Sequence, residues 1–179
     1  HPIGYFWGYK TDGLFQTLDQ LNSAPLQFDQ AVGTAPGETY LGDVKYVDVN
    51  GDGKINADDK TFIGNPHPTV TYGFTNTFKY KNLDLSIFAS FSYGNDIYVD
   101  GLRFTENIAS NTFNKSSVLL DYCTTPGQTA YAPKLTCTTA NSFNQRSSAQ
   151  LRDGSFIRLK NVTLGYNLPS DIFKNNNFI

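Results

Sequence analysis

The clearest order in this chain is an alternation of apolar and polar side chains with a period of two. From Thr69 to Tyr80, Val70, Tyr72, Phe74, Phe78 and Tyr80 fall on one face, and Thr69, Thr71, Gly73, Thr75, Thr77 and Lys79 on the other. After Lys81 and Asn82 it resumes: Leu83, Leu85, Ile87, Ala89, Phe91 and Tyr93 oppose Asp84, Ser86, Ser90 and Ser92, with Phe88 the exception. Successive side chains of a strand point to opposite faces, so residues 69–94 read as an antiparallel hairpin. A third run, "SFIRLKNVTLGYNLP", sets Val162, Leu164, Tyr166 and Leu168 against Asn161, Thr163, Gly165 and Asn167, while Ile157 and Leu159 lie in the opposite phase. That phase change predicts a bulge or a change of environment near Lys160, and Pro169 ends the strand.

Each predicted strand is about ten to twelve residues long, against about five or six in soluble sheets. One face is aromatic and aliphatic from end to end; the other carries Thr, Ser, Asp, Lys and Gly. Two environments suit such strands. One is a tilted membrane span with lipid outside and a wet lumen inside; the other is a long soluble hairpin with one solvated face. The segment 95–150 is rich in Asn, Ser and Thr and has weak periodicity. It is far longer than the roughly 15 residues beyond which connections in compact domains are uncommon. Outer-membrane barrels keep periplasmic turns short and external loops long. On that reading 69–94 is a transmembrane hairpin turning in the periplasm at Lys81 and Asn82, 151–169 is a further spanning strand, and 42–68 and 95–150 are extracellular loops.

A length of 179 residues allows one respectable core. The chain opens on His1 and contains no methionine, so the expectation is a piece of a longer protein. It has no apolar run of roughly 18 residues, which removes a transmembrane helix and leaves a barrel open. A net charge of −2 and scattered Lys and Arg give no field for nucleic acid. Charged residues at 17% are few and aromatics at 15% many, so something apolar is covered or faced.

One motif carries chemistry. "DVNGDGKINADD", residues 48–59, has the spacing of a twelve-residue calcium loop. Asp48, Asn50 and Asp52 take positions 1, 3 and 5, Gly53 makes the turn at 6, Lys54 offers its carbonyl at 7, and Asn56 and Asp59 take 9 and 12. Hard oxygens wrap a hard cation, so structural Ca2+ is the expected guest. Position 12 is Asp where the longer Glu would give bidentate reach, and the alternative is a metal-free Asx-rich turn. No flanking helices are predicted, which removes a switch role. Cys123 and Cys137 are the only cysteines. In an oxidising compartment they would pair, closing a loop for about 3 kcal/mol; in a reducing one they stay thiols. Tyr5, Trp7 and Tyr9 offer stacking surfaces for sugar, or else form an aromatic girdle or a packed strand end. No nucleophile elbow, P-loop, dinucleotide fingerprint or zinc motif occurs, and no enzyme is expected.

The blocks "GYKTDG", "GDVKYVDVNGDGKINADDKTFIGNPHP", "YGFTNTFKYKNLDLSIFASFSYGNDIY" and "LRDGSFIRLKNVTLGYNLP" resemble, in order and spacing, the C-terminal half of the SusC/RagA family of TonB-linked outer-membrane proteins. The resemblance implies an all-β fold, antiparallel strands forming part of a 22-stranded transmembrane barrel that this chain does not complete. It implies import of oligosaccharides or peptides beneath a SusD-like lipoprotein lid, driven through TonB, as is characteristic of Bacteroidota. The calcium loop then lies outside, where it is expected to lack an apolar core of its own, and the cysteines lie in an outward loop where pairing is expected. The rival reading is a soluble calcium-stabilised β-rich module binding glycan or protein. Residues 102–149 are not recognisably part of the family pattern.

Overall fold

The computed structural model describes residues 3–33, 38–107, 113–123, 128, 130, 132–133 and 145–169. In chain order the elements are β1 (Phe6–Gly8), β2 (Thr11–Leu14), α1 (Leu18–Ser23), β3 (Leu26–Gln27), β4 (Val44–Tyr46), β5 (Lys54–Ile55), β6 (Thr61–Gly64), β7 (Val70–Tyr80), β8 (Leu83–Tyr93), β9 (Asp96–Tyr98), α2 (Leu102–Thr105), β10 (Leu151–Asp153) and β11 (Phe156–Tyr166). Where length alone suggests one domain, the chain divides into two compact units: His1–Pro66 with Ile97–Arg152, and His67–Asp96 with Asp153–Ile179.

The second unit is a three-stranded antiparallel sheet in the order β11-β8-β7. All three strands have 11 residues. Lys81, with φ of 51°, turns the hairpin, and Tyr80 faces Leu83 directly. Facing residues share a face of the sheet, so the register sorts the side chains. Val70 meets Tyr93, Tyr72 meets Phe91, Phe74 meets Ala89 and Phe78 meets Leu85; Asn76, opposite Ile87, is the one polar break in β7 on that side. In β11 the pairing shifts between Leu159 and Asn161, leaving Lys160 with no partner opposite. The bulge absorbs the phase change. Ile157 and Leu159 before it, and Val162, Leu164 and Tyr166 after it, all join the face of Phe91, Ala89, Ile87, Leu85 and Leu83. The other face holds Arg158, Asn161, Thr163, Gly165, Thr71, Thr75, Thr77 and the serines of β8. Phe88 also sits there, with Lys160 Nζ 5.8 Å from its ring centre.

The first unit is built from short pieces. β1 pairs with β6, β2 with β4 and β9 with β10, while β3 and β5 pair in parallel. Two small apolar clusters hold it: Tyr9, Val44, Tyr46 and Ile55, and Phe15, Leu21 and Leu41. Val44, Tyr46 and Ile55 belong to the segment expected to have no apolar core, so that expectation is corrected. Tyr9, Phe28 and Tyr46 meet edge to face at 5.2 to 5.7 Å, giving this segment a packed aromatic centre. Polar side chains complete ladders too short to close themselves. The buried Gln27 accepts the Tyr46 amide at Oε1 (2.7 Å) and donates from Nε2 to the Val44 carbonyl (3.0 Å). The segment read as one long loop, 95–150, contains β9, α2 and two 3-10 turns among its described residues. Cys123 is buried; Cys137 lies outside the described residues, and so does the pairing expected of it.

Deleting Lys160 removes the extra residue, so Leu159 and Asn161 become consecutive opposite Ala89 and Phe88, and Ile157, Leu159, Val162, Leu164 and Tyr166 keep one face of a regular strand. Cysteines placed at the paired positions Thr163 and Ser86 are expected to cross-link as efficiently in the deletion as in the parent protein. Loss of cross-linking in the deletion would show that Lys160 is more than the extra residue of the bulge.

Candidate functional site

The loop 48–59 folds through its own side chains. Asp48 accepts the amides of Gly51 at Oδ1 (2.6 Å) and Gly53 at Oδ2 (2.8 Å). Asn50 Oδ1 accepts the Asp52 amide (2.9 Å), and Asp52 Oδ1 accepts that of Lys54 (2.8 Å). Gly53 has φ of 82°, a conformation that costs a residue with a Cβ and suits the tight turn at position 6. Lys54 then enters β5, which pairs with β3. Asn56 caps the 3-10 turn Ala57–Asp59 by accepting the Asp58 amide (2.7 Å).

Asp59 closes the loop. It is fully buried, at 0% exposure. Its Oδ1 accepts the Val49 amide (2.9 Å) and its Oδ2 the Asn56 amide (2.8 Å), joining the beginning of the loop to its end. Burial pushes its pKa up, but the amides of Asn56, Val49 and Asn50 outweigh that, and the net shift is below the ordinary carboxylate value. Asp58 is exposed. Among the described residues no three His, Cys, Asp or Glu side chains gather into a metal-sized cluster. The donor set nonetheless suits a hard cation. By type and spacing, Asp48, Asn50, Asp52, Asn56 and Asp59 carry side-chain oxygens within one twelve-residue loop, Lys54 offers a carbonyl, and a carboxylate oxygen engaged by one amide keeps a second lone pair.

Of the three aromatics read as stacking surfaces, the structure keeps two within reach of solvent. Trp7 is 54% exposed. Tyr5 meets Phe62 edge to face at 4.5 Å. Tyr9 is corrected: at 5% exposure it belongs to the apolar core and presents no ring to a ligand. The cause is a change of partner. β1 ends at Gly8, where a Cβ would lie 2.5 Å from the Arg146 carbonyl oxygen. Tyr9 leaves that ladder, donates its amide to Arg146 O (2.9 Å) and receives the Ser148 amide (2.9 Å). Its ring turns inward.

Trp7 instead shares a cavity of about 380 Å³ with Phe6, Ile63, Tyr98, Asp100 and Arg146. The last three were missed in the sequence, because each comes from a segment distant along the chain with no motif of its own. Phe6 and Tyr98 pack with ring centres 5.7 Å apart, and Asp100 Oδ1 accepts from Arg103 Nη1 at 3.0 Å.

No family model matches the chain. Among curated proteins it is 35% identical over 170 residues to TonB-dependent receptor P26 of Formosa agariphila, an alignment covering 94% of this chain and 16% of that receptor. TonB-dependent receptor SusC of Bacteroides thetaiotaomicron is 30% identical over 125 residues, 70% of this chain and 12% of SusC. The chain thus spans a small part of the relatives it matches. In fold it resembles part of the RagAB peptide importer in the open-open state, with a TM-score of 0.67 and 23% identity over 98% of this chain and 17% of that one. A structure of the RagAB peptide transporter gives 0.68 and 24%, over 97% and 17%. The open three-stranded sheet is therefore part of the β-barrel fold of these receptors. Related in sequence along nearly all its length and alike in fold, the chain belongs to the SusC/RagA kind of TonB-dependent receptor, as a segment of one.

Proposed function

We propose that the protein containing this chain imports nutrients, oligosaccharides or peptides, across the outer membrane, with a SusD-like lipoprotein at the surface and energy supplied through TonB. One observation carries the membrane part of this reading: three 11-residue strands gather their apolar side chains on one face of the sheet, and many of these are exposed among the described residues. Phe74 is 49% exposed, Phe78 54%, Val162 53% and Leu164 67%. Soluble monomers rarely expose contiguous apolar patches beyond a few hundred Å², while about 9–11 tilted residues span a bilayer as a strand. Val70, Tyr72, Phe74, Leu85, Ile87 and Phe91 then face lipid, and the Thr- and Ser-rich face lines the lumen. No helix among the described residues is long and apolar enough to cross a membrane. The short turn at Lys81 and Asn82 lies on the periplasmic side in this reading, and the loop 48–59 outside. The names borne by the relatives, receptor and importer, support it.

The calcium loop has a supporting part in the same proposal. Residues 48–59 hold one structural Ca2+ through Asp48, Asn50, Asp52, Asn56 and Asp59 and the carbonyl of Lys54. Three carboxylates in one turn repel one another, and a divalent cation offsets that repulsion. Because the segment has apolar contacts of its own, the ion tightens a packed loop and is not its sole support.

Phe74→Arg puts a charge on the lipid face, at a cost of about 2 to 4 kcal/mol near the midplane; Thr75→Arg puts it in the lumen. The first is expected to lower the amount of heat-modifiable, assembled full-length protein in outer-membrane fractions far more than the second. Equal loss would contradict a lipid-facing sheet.

Calorimetric titration of the purified protein is expected to detect one Ca2+ site of millimolar or tighter affinity, as in extracellular modules. The double change Asp48→Ala with Asp52→Ala should abolish it and expose the loop to protease with the strands still assembled. Silence at several millimolar calcium would return the loop to a metal-free Asx turn.

Asp59→Ala leaves the buried amides of Val49 and Asn56 without an acceptor, at about 1 to 3 kcal/mol each. The same bonds set a pH dependence. With the folded pKa depressed, the stability Asp59 supplies is present above its ordinary value of 3.8 and is lost as pH falls through the depressed one. Proteolysis of the loop by an acid-active protease should therefore rise below that value in the parent protein, and stay flat with pH in Asp59→Ala.

A further inference from the structure

We infer that the cavity beside Trp7 binds a pyranose ring bearing an anionic substituent, a carboxylate or a sulfate. The inference deepens the importer reading and rests on it for the source of the ligand. Its volume of about 380 Å³ falls in the range of roughly 300 to 1,000 Å³ typical of small-molecule sites.

A bulge shapes it. Phe6 faces Gly64 while Trp7 faces Phe62, so Ile63 is the extra residue of β6. In a regular strand consecutive side chains point to opposite faces, yet bulges re-aim them. Here Phe6, Trp7 and Ile63 line one cavity. Its wall is aromatic, with Trp7 well exposed and Phe6 packed against Tyr98. Flat aromatic faces suit the C–H faces of a sugar ring, which are apolar while its hydroxyls point outward.

The polar groups are charged and planar. Arg146 is exposed, and its guanidinium makes no ion pair or side-chain hydrogen bond with the described residues. It offers five donors in a fork that fits a carboxylate or sulfate. Asp100 is tied to Arg103 through Oδ1, leaving Oδ2 to accept from a ring hydroxyl. Asp100 is already met by Arg103 at 3.0 Å, so the exposed guanidinium of Arg146 in the lining favours an acidic sugar over a neutral one. The main chain on either side of Trp7 is already committed to the pairing of β1 with β6. The cavity therefore offers side chains, and few backbone groups of the kind an extended peptide needs.

The test uses the purified full-length receptor in detergent on an array of matched neutral, uronate-bearing and sulfated oligosaccharides, with short peptides alongside. Acidic sugars are expected to bind about tenfold or more tightly than their neutral counterparts, the scale of one charge-assisted contact. Arg146→Gln should erase that preference and leave the neutral sugars unchanged; Trp7→Ala should weaken every sugar. A heat-modifiable band for both variants confirms folding. Equal binding of acidic and neutral sugars, binding of peptides alone, no binding, or variants that bind as the parent does would each overturn the site. Uptake by cells is scored separately. Binding of acidic sugars without uptake of any nutrient overturns the importer and keeps the site, whereas uptake without acidic-sugar binding does the reverse.

Discussion

Lys160 has no residue opposite it in β8, and the whole sheet depends on that one unpaired position. With a period of two, a slip of one residue sends every following side chain to the other face. Without the bulge, β11 would show an apolar side that turns polar halfway along. With it, three strands present one apolar side over 11 residues each. In hydrocarbon a stranded structure must pair its backbone groups with neighbours and show only apolar side chains to lipid. A single bulge satisfies the second demand at the cost of one local gap in the first. The extra residue is a lysine whose Nζ lies over Phe88 on the opposite, polar face. Two anomalies of the alternation, Phe88 and Lys160, therefore meet, and the cation over the ring gives each a neighbour it lacks in the regular pattern.

The other unit solves a different problem. Its strands have two to four residues, too few to satisfy the backbone by ladders alone, and a buried unpaired amide costs as much as a lost bond. Side chains take the place of absent strands. Gln27 imitates a strand neighbour for Val44 and Tyr46. Asp59 does the same for Val49 and Asn56. Gln150 Oε1 accepts from the amide and hydroxyl of Ser147. Such contacts are directional, so they fix one conformation where a small apolar cluster alone would tolerate several. The loop 48–59 inherits its shape from them before any cation is considered.

The long strands were legible in the sequence because the two faces of the sheet carry opposite chemistry on alternate residues, and that alternation repeats along 11 residues of each strand. The bulge was legible for the same reason: it is visible as a break in a strong rhythm. The turn at Lys81 follows from the symmetry of the two runs around it. The short strands and the apolar contacts of 42–68 were not legible, because two or three residues carry no period and their partners are far away in the chain. Tyr9 illustrates the limit. Its neighbours Tyr5 and Trp7 suggested a shared aromatic surface, and only the approach of the Arg146 carbonyl to Gly8 decides that its ring goes inward. The calcium spacing was plain, but the amide contacts of Asp59 could not be read from spacing, since they depend on the 3-10 turn that carries it.

Two bulges thus act in opposite senses. At Lys160 the extra residue restores a uniform face, and the sequence announces it because the face is long. At Ile63 the extra residue breaks a uniform face and gathers Phe6, Trp7 and Ile63 around one cavity, and β1 and β6 are too short to announce anything. The same backbone device serves a uniformly apolar surface and a concave one of mixed chemistry. What separates them is the side chains beside each: aliphatic and aromatic neighbours along β8 in the first case, and the charged Asp100 and Arg146 in the second. Charge placed next to an aromatic wall is costly unless a ligand or solvent meets it. Arg146 is exposed, so solvent can meet its guanidinium where it borders that wall.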